Sequence, residues 1–224
     1  MTAIKRVTIF FLWILSAASI AKAQKKITEG TITYSMAYDL PADKQVIAAT
    51  LPTEVTFYFR GDSSAAIFNQ GVATVKGVSD FKANFHSLLI DIPSSLQKIA
   101  VVLTPAEIEQ EKAAIPQLTG VKGTEKQVID GYNCTKEIVT DPKTGATYET
   151  WITNDIDLPP NSVSKPVSIF GGVPVKFITF NSGLTIKAEI KEIKEVAVPV
   201  GFFTPTKDYQ PMTYTELKAM GGKN

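Results

Sequence analysis

The feature that most constrains this chain is an apolar period of two, repeated in short segments with turns between them. Ile32, Tyr34, Met36 and Tyr38 alternate with Thr31, Thr33, Ser35 and Ala37. Successive side chains of a strand point to opposite faces, so the pattern describes a strand with one dry face and one wet face. Val55, Phe57 and Phe59 repeat it against Thr56, Tyr58 and Arg60. Leu184, Ile186, Ala188, Ile190 and Ile193 repeat it against Thr185, Lys187, Glu189 and Lys191. On a helix the same spacing would scatter the apolar residues around the axis and leave no continuous stripe to bury.

The residues between these segments are turn formers. Arg60-Gly61-Asp62-Ser63 leads into Ala65–Asn69, a predicted hairpin partner, and the Arg-Gly-Asp triplet reads there as turn chemistry. Tyr132–Thr140 runs into Asp141-Pro142-Lys143-Thr144-Gly145 and returns as Ala146–Thr153. Proline presets φ in such a turn, and glycine accepts a positive φ. Asn181-Ser182-Gly183 joins Val175–Phe180 to Leu184–Ile193 in the same way, and shorter β-rich runs lie at Val72–Val78, Asn84–Ile90 and Lys98–Leu103.

Helix is scarce. Thr104-Pro105-Ala106-Glu107 carries an N-cap, a first-turn proline and a third-position glutamate, with a stop before Pro116. Thr213 is positioned to cap a second helix over 214–220, which Gly221-Gly222 would end. Asp157–Gly172, with three prolines, reads as a long ordered loop, a place where function tends to sit. The expected class is therefore mainly β (α+β): one antiparallel sheet, long enough that it must curl, close or split, with about two short helices. Its inward aromatics either fill a core or line a cavity between sheet and helices.

The first residues have a different character. Lys5 and Arg6 precede an apolar run from Val7 to Ile20, and Ala21-Lys22-Ala23 follows. Basic start, apolar middle and small-x-small end are the parts of a cleavable secretory signal. The run is shorter than the roughly 20 residues of a spanning helix. Cleavage after Ala23 leaves residues 24–224 as a single expected domain that does not span a membrane. No cysteine follows Ala23 to take a lipid. Without Lys5, Arg6 and Lys22, the 23 basic residues fall to three fewer against 22 acidic, a net charge of −2. Such a balance has no electrostatic footprint for nucleic acid.

Candidate chemistry is thin. Cys134 is the only cysteine and His86 the only histidine, so zinc sites built from several of either are unavailable, and no internal disulfide can form. Cys134 reads as a small buried apolar residue. A serine triad would need His86, and no nucleophile-elbow pattern accompanies it. Gly71, Gly77 and Gly171-Gly172 do not make a phosphate loop. Asp155 and Asp157, with Glu149 nearby, could in principle serve hydrolysis or calcium, but Asn154-Asp155-Ile156-Asp157 lacks the spacing of a calcium loop and reads as turn chemistry. No enzyme, metal or cofactor is expected.

Four phrases, in order, carry a family likeness: Glu29-Gly30-Thr31-Ile32-Thr33-Tyr34-Ser35-Met36; Lys126 to Lys136 with Gly131-Tyr132-Asn133-Cys134, followed by Glu149 to Asp155; Gly172-Val173-Pro174-Val175-Lys176-Phe177; and Phe203-Thr204-Pro205 with Tyr209 and Met212–Leu217. Together they resemble an uncharacterised family of Gram-negative envelope proteins whose architecture is similar to the outer-membrane lipoprotein carriers (LolA/LolB-like). The resemblance implies an incompletely closed antiparallel half-barrel, helices over its open side, an enclosed apolar cavity and a periplasmic home, with an extracellular one as the alternative. It implies no catalytic residues. On this basis the expected function is binding or carriage of a hydrophobic ligand, a lipid or an acylated protein, with Tyr34, Met36, Phe57, Phe59 and Trp151 as ligand-binding candidates. The alternative is an envelope structural protein with a filled core that docks a protein partner through the 157–172 loop.

Overall fold

The computed structural model describes residues 24–114, 116–163, 171–181 and 184–221. The expected signal segment Met1–Ala23, the tip of the Asn181-Ser182-Gly183 turn and the centre of the 157–172 loop lie outside these residues.

The chain order is β1 (Lys25–Lys26), β2 (Glu29–Asp39), a 3-10 segment (Ala42–Thr50), β3 (Glu54–Arg60), β4 (Ser63–Gln70), β5 (Ala73–Asp80), β6 (Phe85–Ile92) and β7 (Gln97–Val102). It continues with helix α1 (Pro105–Ala114), β8 (Thr119–Ile129), β9 (Tyr132–Thr140), β10 (Thr147–Thr153), β11 (Ile156–Asp157), β12 (Val173–Asn181), β13 (Leu184–Lys194), β14 (Gln210–Met212) and helix α2 (Tyr214–Gly221). Twelve of these strands form one sheet in the order β14-β7-β6-β5-β4-β3-β2-β13-β12-β10-β9-β8. Every neighbouring pair is antiparallel except β14–β7. The order is linear, so the curved sheet does not close, and the fold is the mainly β, open half-barrel that the sequence predicts. A parallel pair, β1 with β11, fastens the first described residues beside the end of β10 and buries Ile27.

Both helix starts are reciprocal capping boxes. The Thr104 amide and hydroxyl donate to Glu107 Oε2 at 2.7 and 2.8 Å, and the Glu107 amide donates to Thr104 Oγ1 at 3.3 Å. Thr213 and Glu216 repeat the arrangement at 2.8, 2.6 and 3.2 Å. These bonds favour the charged carboxylates and hold both glutamates below the usual range. The predicted hairpin turn is present as well: Asp141 Oδ1 accepts from the Lys143 amide at 2.9 Å, Oδ2 accepts from the Thr144 hydroxyl, and Gly145 takes φ +72.

Register separates the two faces of the sheet. On one, Phe68, Val75, Ile90 and Ile99 stand side by side across β4 to β7 and lead to a cluster of Ile99, Val101, Tyr214 and Leu217. Helix α2 thus covers this face at the β14 end, where the Tyr214 hydroxyl donates to Glu111 of α1. That bond, added to burial, pushes the Tyr214 phenol up to about 12, with burial the larger cause. On the opposite face Ala65, Val78, Leu89 and Ala100 pack under Val198 and Phe203 of the segment after β13. Lys76 stacks on the Phe202 ring there and donates to the Phe202 carbonyl.

Sequence reasoning missed the short strands β1, β11 and β14 and two longer elements, one of which covers the site. One is the 3-10 segment Ala42–Thr50, which buries none of its residues. The other is β8, eleven residues at the sheet's edge that are exposed almost throughout.

Candidate functional site

The opening that gathers most of the candidate residues grows out of the alternation itself. Strands β2, β3, β4, β12 and β13 are neighbours, and their residues of one parity meet in register: Tyr34 with Val55 and Ile190, Met36 with Ala188, Phe57 with Ala66, and Phe177 with Ala188. Instead of closing on a layer of helix, this face looks onto the 3-10 segment. The space left between them is an apolar cavity of about 620 Å³.

Its floor is aromatic. Tyr34 is wholly buried, with Phe57 and Phe177 edge-on to it at centroid distances of 6.0 and 5.3 Å. The Tyr34 hydroxyl donates to the Pro174 carbonyl at 2.9 Å, so the only polar atom of the floor is satisfied inside the protein. Burial then holds its phenol neutral, far above the ordinary tyrosine range, with Tyr132 adding to the effect. Ile186, Ala188 and Val55 form tight sides, while Met36, Tyr38, Phe57, Phe68 and Phe180 are half-buried and present surface to an occupant. Ile47, Leu51 and Pro52 form the cover, and Lys44, Gln70 and Thr179 supply the polar wall. A second depression of about 520 Å³ involves Ser35, Glu149, Lys176, Lys187 and Glu189. Its charges are already matched, Lys176 to Glu189 at 3.4 Å and Lys187 to Asp39 at 4.0 Å.

Of the five candidates, Tyr34, Met36 and Phe57 stand together at this cavity. Phe59 and Trp151 do not line it. Phe59 shares the face of Phe57 but sits further along β3, fully buried in the main core, where Gly30 lets its ring lie against the backbone. A Cβ on Gly30 would collide with the Lys194 carbonyl oxygen, so the position demands glycine for close approach of β2 and β13. Trp151 is buried in the same core and lies under Lys136, 5.8 Å from its ring. A register shift between Trp151 and Ile152 resets the alternation, and a one-residue slip exchanges the faces of a strand. Phe68, Phe177, Phe180 and Lys44 were missed. Phe68 and Phe177 stand in the alternating rows of β4 and β12, and extending the parity count along those rows would have reached them.

The reactive-looking residues have structural surroundings. Cys134 is buried, and loss of hydration pushes its thiol up to about 11, the opposite of an activated cysteine. His86 Nδ1 lies 3.0 Å from the Ser79 hydroxyl, and its ring is edge-on to Phe81. Asp155 Oδ2 accepts from the amide and the side chain of Asn133 at 2.7 and 3.0 Å, bracing the start of β9. Glu149 pairs with Lys136 at 2.6 Å. Among the described residues no group of three or more histidine, cysteine or acidic side chains is placed to hold a metal. No helix among them is long and apolar enough to cross a membrane.

Fold and site together define an open β-sheet protein with an apolar hollow between one face of the sheet and a short covering segment. No protein-family model matches the chain, and no curated protein is similar to it in sequence. Among the solved structures that align with it are three that are similar in part. PNGF-II aligns at a TM-score of 0.49 and 15% identity over 87% of this chain and 33% of its own. A DUF1329 family protein from Desulfovibrio piger aligns at 0.35 and 7% over 79% and 90%, and LprF from Mycobacterium bovis at 0.32 and 13% over 88% and 95%. The chain therefore spans about a third of the length of PNGF-II. At these TM-scores the likenesses decide nothing, and the cavity's own geometry has to carry the functional reading.

Proposed function

We propose that this is a periplasmic binding or carrier protein for a hydrophobic ligand, a lipid or an acylated protein, acting without catalysis and exported on the cleavable segment Met1–Ala23. The observation that carries the proposal is the cavity: about 620 Å³, walled by aromatic and aliphatic side chains. Sites for small apolar molecules have this size and lining. Binding would be driven by removing apolar surface from water, about 0.8 kcal/mol for each methylene buried, or close to fourfold in affinity per added carbon until the space is full.

Native mass spectrometry of the protein purified from the periplasm, with organic extraction of what it carries, tests this. Adduct mass that extracts as lipid, and that disappears in a folded Phe57→Glu variant, is the expected result. A protein that arrives empty and takes up no fluorescent fatty-acid probe would refute the reading.

A further inference from the structure

Among the described residues of the cavity wall there is one charge. Of the described residues around the hollow, Lys44 alone is ionic; Gln70, Thr179 and the Tyr38 hydroxyl are polar but neutral. Lys44 is half-buried on the 3-10 segment that forms the cover, and no carboxylate among the described residues pairs with it. The cations of the neighbouring strands differ: Lys176, Lys187 and Lys191 are matched by Glu189, Asp39 and Glu54. A lysine whose stem lies along apolar wall keeps its ammonium at the wet end of that wall. An unmatched cation there costs little while water reaches it. It becomes the one group that rewards an anion once a ligand has displaced that water.

Size adds a second constraint. A water molecule takes about 30 Å³ of liquid, and a methylene group is of similar size, so the hollow accommodates on the order of 20 heavy atoms. That is one long aliphatic chain and not a pair.

Resting on the hydrophobic-ligand reading above, we infer that the cavity selects a single-chain anionic amphiphile, its tail against Phe57, Phe68 and Phe180 and its carboxylate or phosphate head at Lys44. Lys44 then sets which amphiphile is accepted, while the aromatic wall sets how tightly the tail is held. The bland alternative, a surface lysine lying over apolar wall without a role, makes a different prediction for head-group preference.

The test uses a neutral reporter, N-phenyl-1-naphthylamine, whose binding does not depend on Lys44. Palmitate, hexadecanol and a two-chain phosphatidic acid are titrated as competitors against the wild-type protein, Lys44→Gln and Lys44→Arg. The expected result is that palmitate displaces the reporter at least tenfold more effectively than hexadecanol. The margin should vanish in Lys44→Gln through loss of palmitate affinity alone, and persist in Lys44→Arg. A single-chain lysophosphatidic acid that matches palmitate identifies the preference as one for negative charge, whichever head supplies it. Equal competition by acid and alcohol, or an unchanged margin in Lys44→Gln, overturns the inference while the reporter's binding leaves the hydrophobic-ligand reading in place. Stronger competition by the two-chain lipid overturns the single-chain assignment. A reporter that does not bind at all removes both.

Discussion

Two covers lie over the same face of one sheet, and they do different things. Helix α2 drives Tyr214 into a cluster with Ile99 and Val101 and is held there by a hydrogen bond to α1. The 3-10 segment Ala42–Thr50 lies over β2, β3 and β13 and inserts no buried residue. The strands beneath both covers carry the same apolar alternation, so the sheet alone does not decide between a solid interior and a hollow one. The cover decides. A regular helix projects a ridge of side chains from one side, whereas a nine-residue 3-10 stretch flanked by Pro41 and Pro52 bridges the gap and offers only Lys44 and Ile47 to the space below.

The sharpest way to break this comparison is to truncate aromatics on the filled and hollow sides. Phe59→Ala is expected to cost about 3–5 kcal/mol of unfolding free energy, the range for a buried aromatic, measured by urea denaturation. Phe57→Ala, whose ring already borders empty space, should cost less than half as much; equal losses would mean that the hollow is filled in solution. Next come the covers themselves. Tyr214→Ala should cost about 3 kcal/mol, and Ile47→Ala, 37% exposed, under about 1 kcal/mol. A reversed order would show that the 3-10 segment holds the fold more firmly than its geometry allows.

A third effect adds the far limb of the sheet to the comparison. Glu137 on β9 is 2% exposed, and its Oε2 has no hydrogen-bond partner among the described residues. Burial raises its carboxyl above the ordinary value, with Lys122 opposing more weakly. The folded state thus prefers the protonated acid. Stability from this group is fully present below the unfolded value of about 4.3 and declines as pH rises through the higher folded value. Glu137→Gln should therefore stabilise the protein at neutral pH by on the order of 1 kcal/mol and flatten its stability between pH 4 and neutrality, as read from thermal melts across pH. The smallest expected effect is a filling one. Ala66→Leu should change stability by under about 1 kcal/mol in either direction while weakening apolar-probe binding severalfold.

Much of this molecule was legible because it is local. The rows of β2, β3 and β13, the Asp141–Gly145 turn and both capping boxes follow from neighbouring residues alone. What stayed hidden depends on distant partners or on the absence of pattern. Strand β8 has only scattered apolar residues, Val121, Val128 and Ile129, because an edge strand with two wet faces needs no alternation. The 3-10 segment reads as neither helix nor strand. Phe59 and Phe57 are indistinguishable by parity, and only the third dimension puts one in the core and the other at the cavity. Trp151, taken from the neighbourhood of the family phrases, lies away from the cavity beside a bulge that counting by twos does not reveal.

One pairing also sets the order in which the molecule can come into being. Strand β2, near the start, lies beside β13, near the end, and Ser35 donates to the Glu189 carbonyl across 154 positions of sequence. A chain emerging from its N-terminus can fold β2 through β7 as successive hairpins early, but one long side of that meander stays unpaired until β13 arrives. Contacts between such distant residues are slow to form, so the pocket is completed last. Until then Tyr34, Met36 and Phe57 face water beside an open strand edge, the condition under which chains associate with one another. The interval between the seventh strand and the thirteenth is therefore when this protein most needs a holdase.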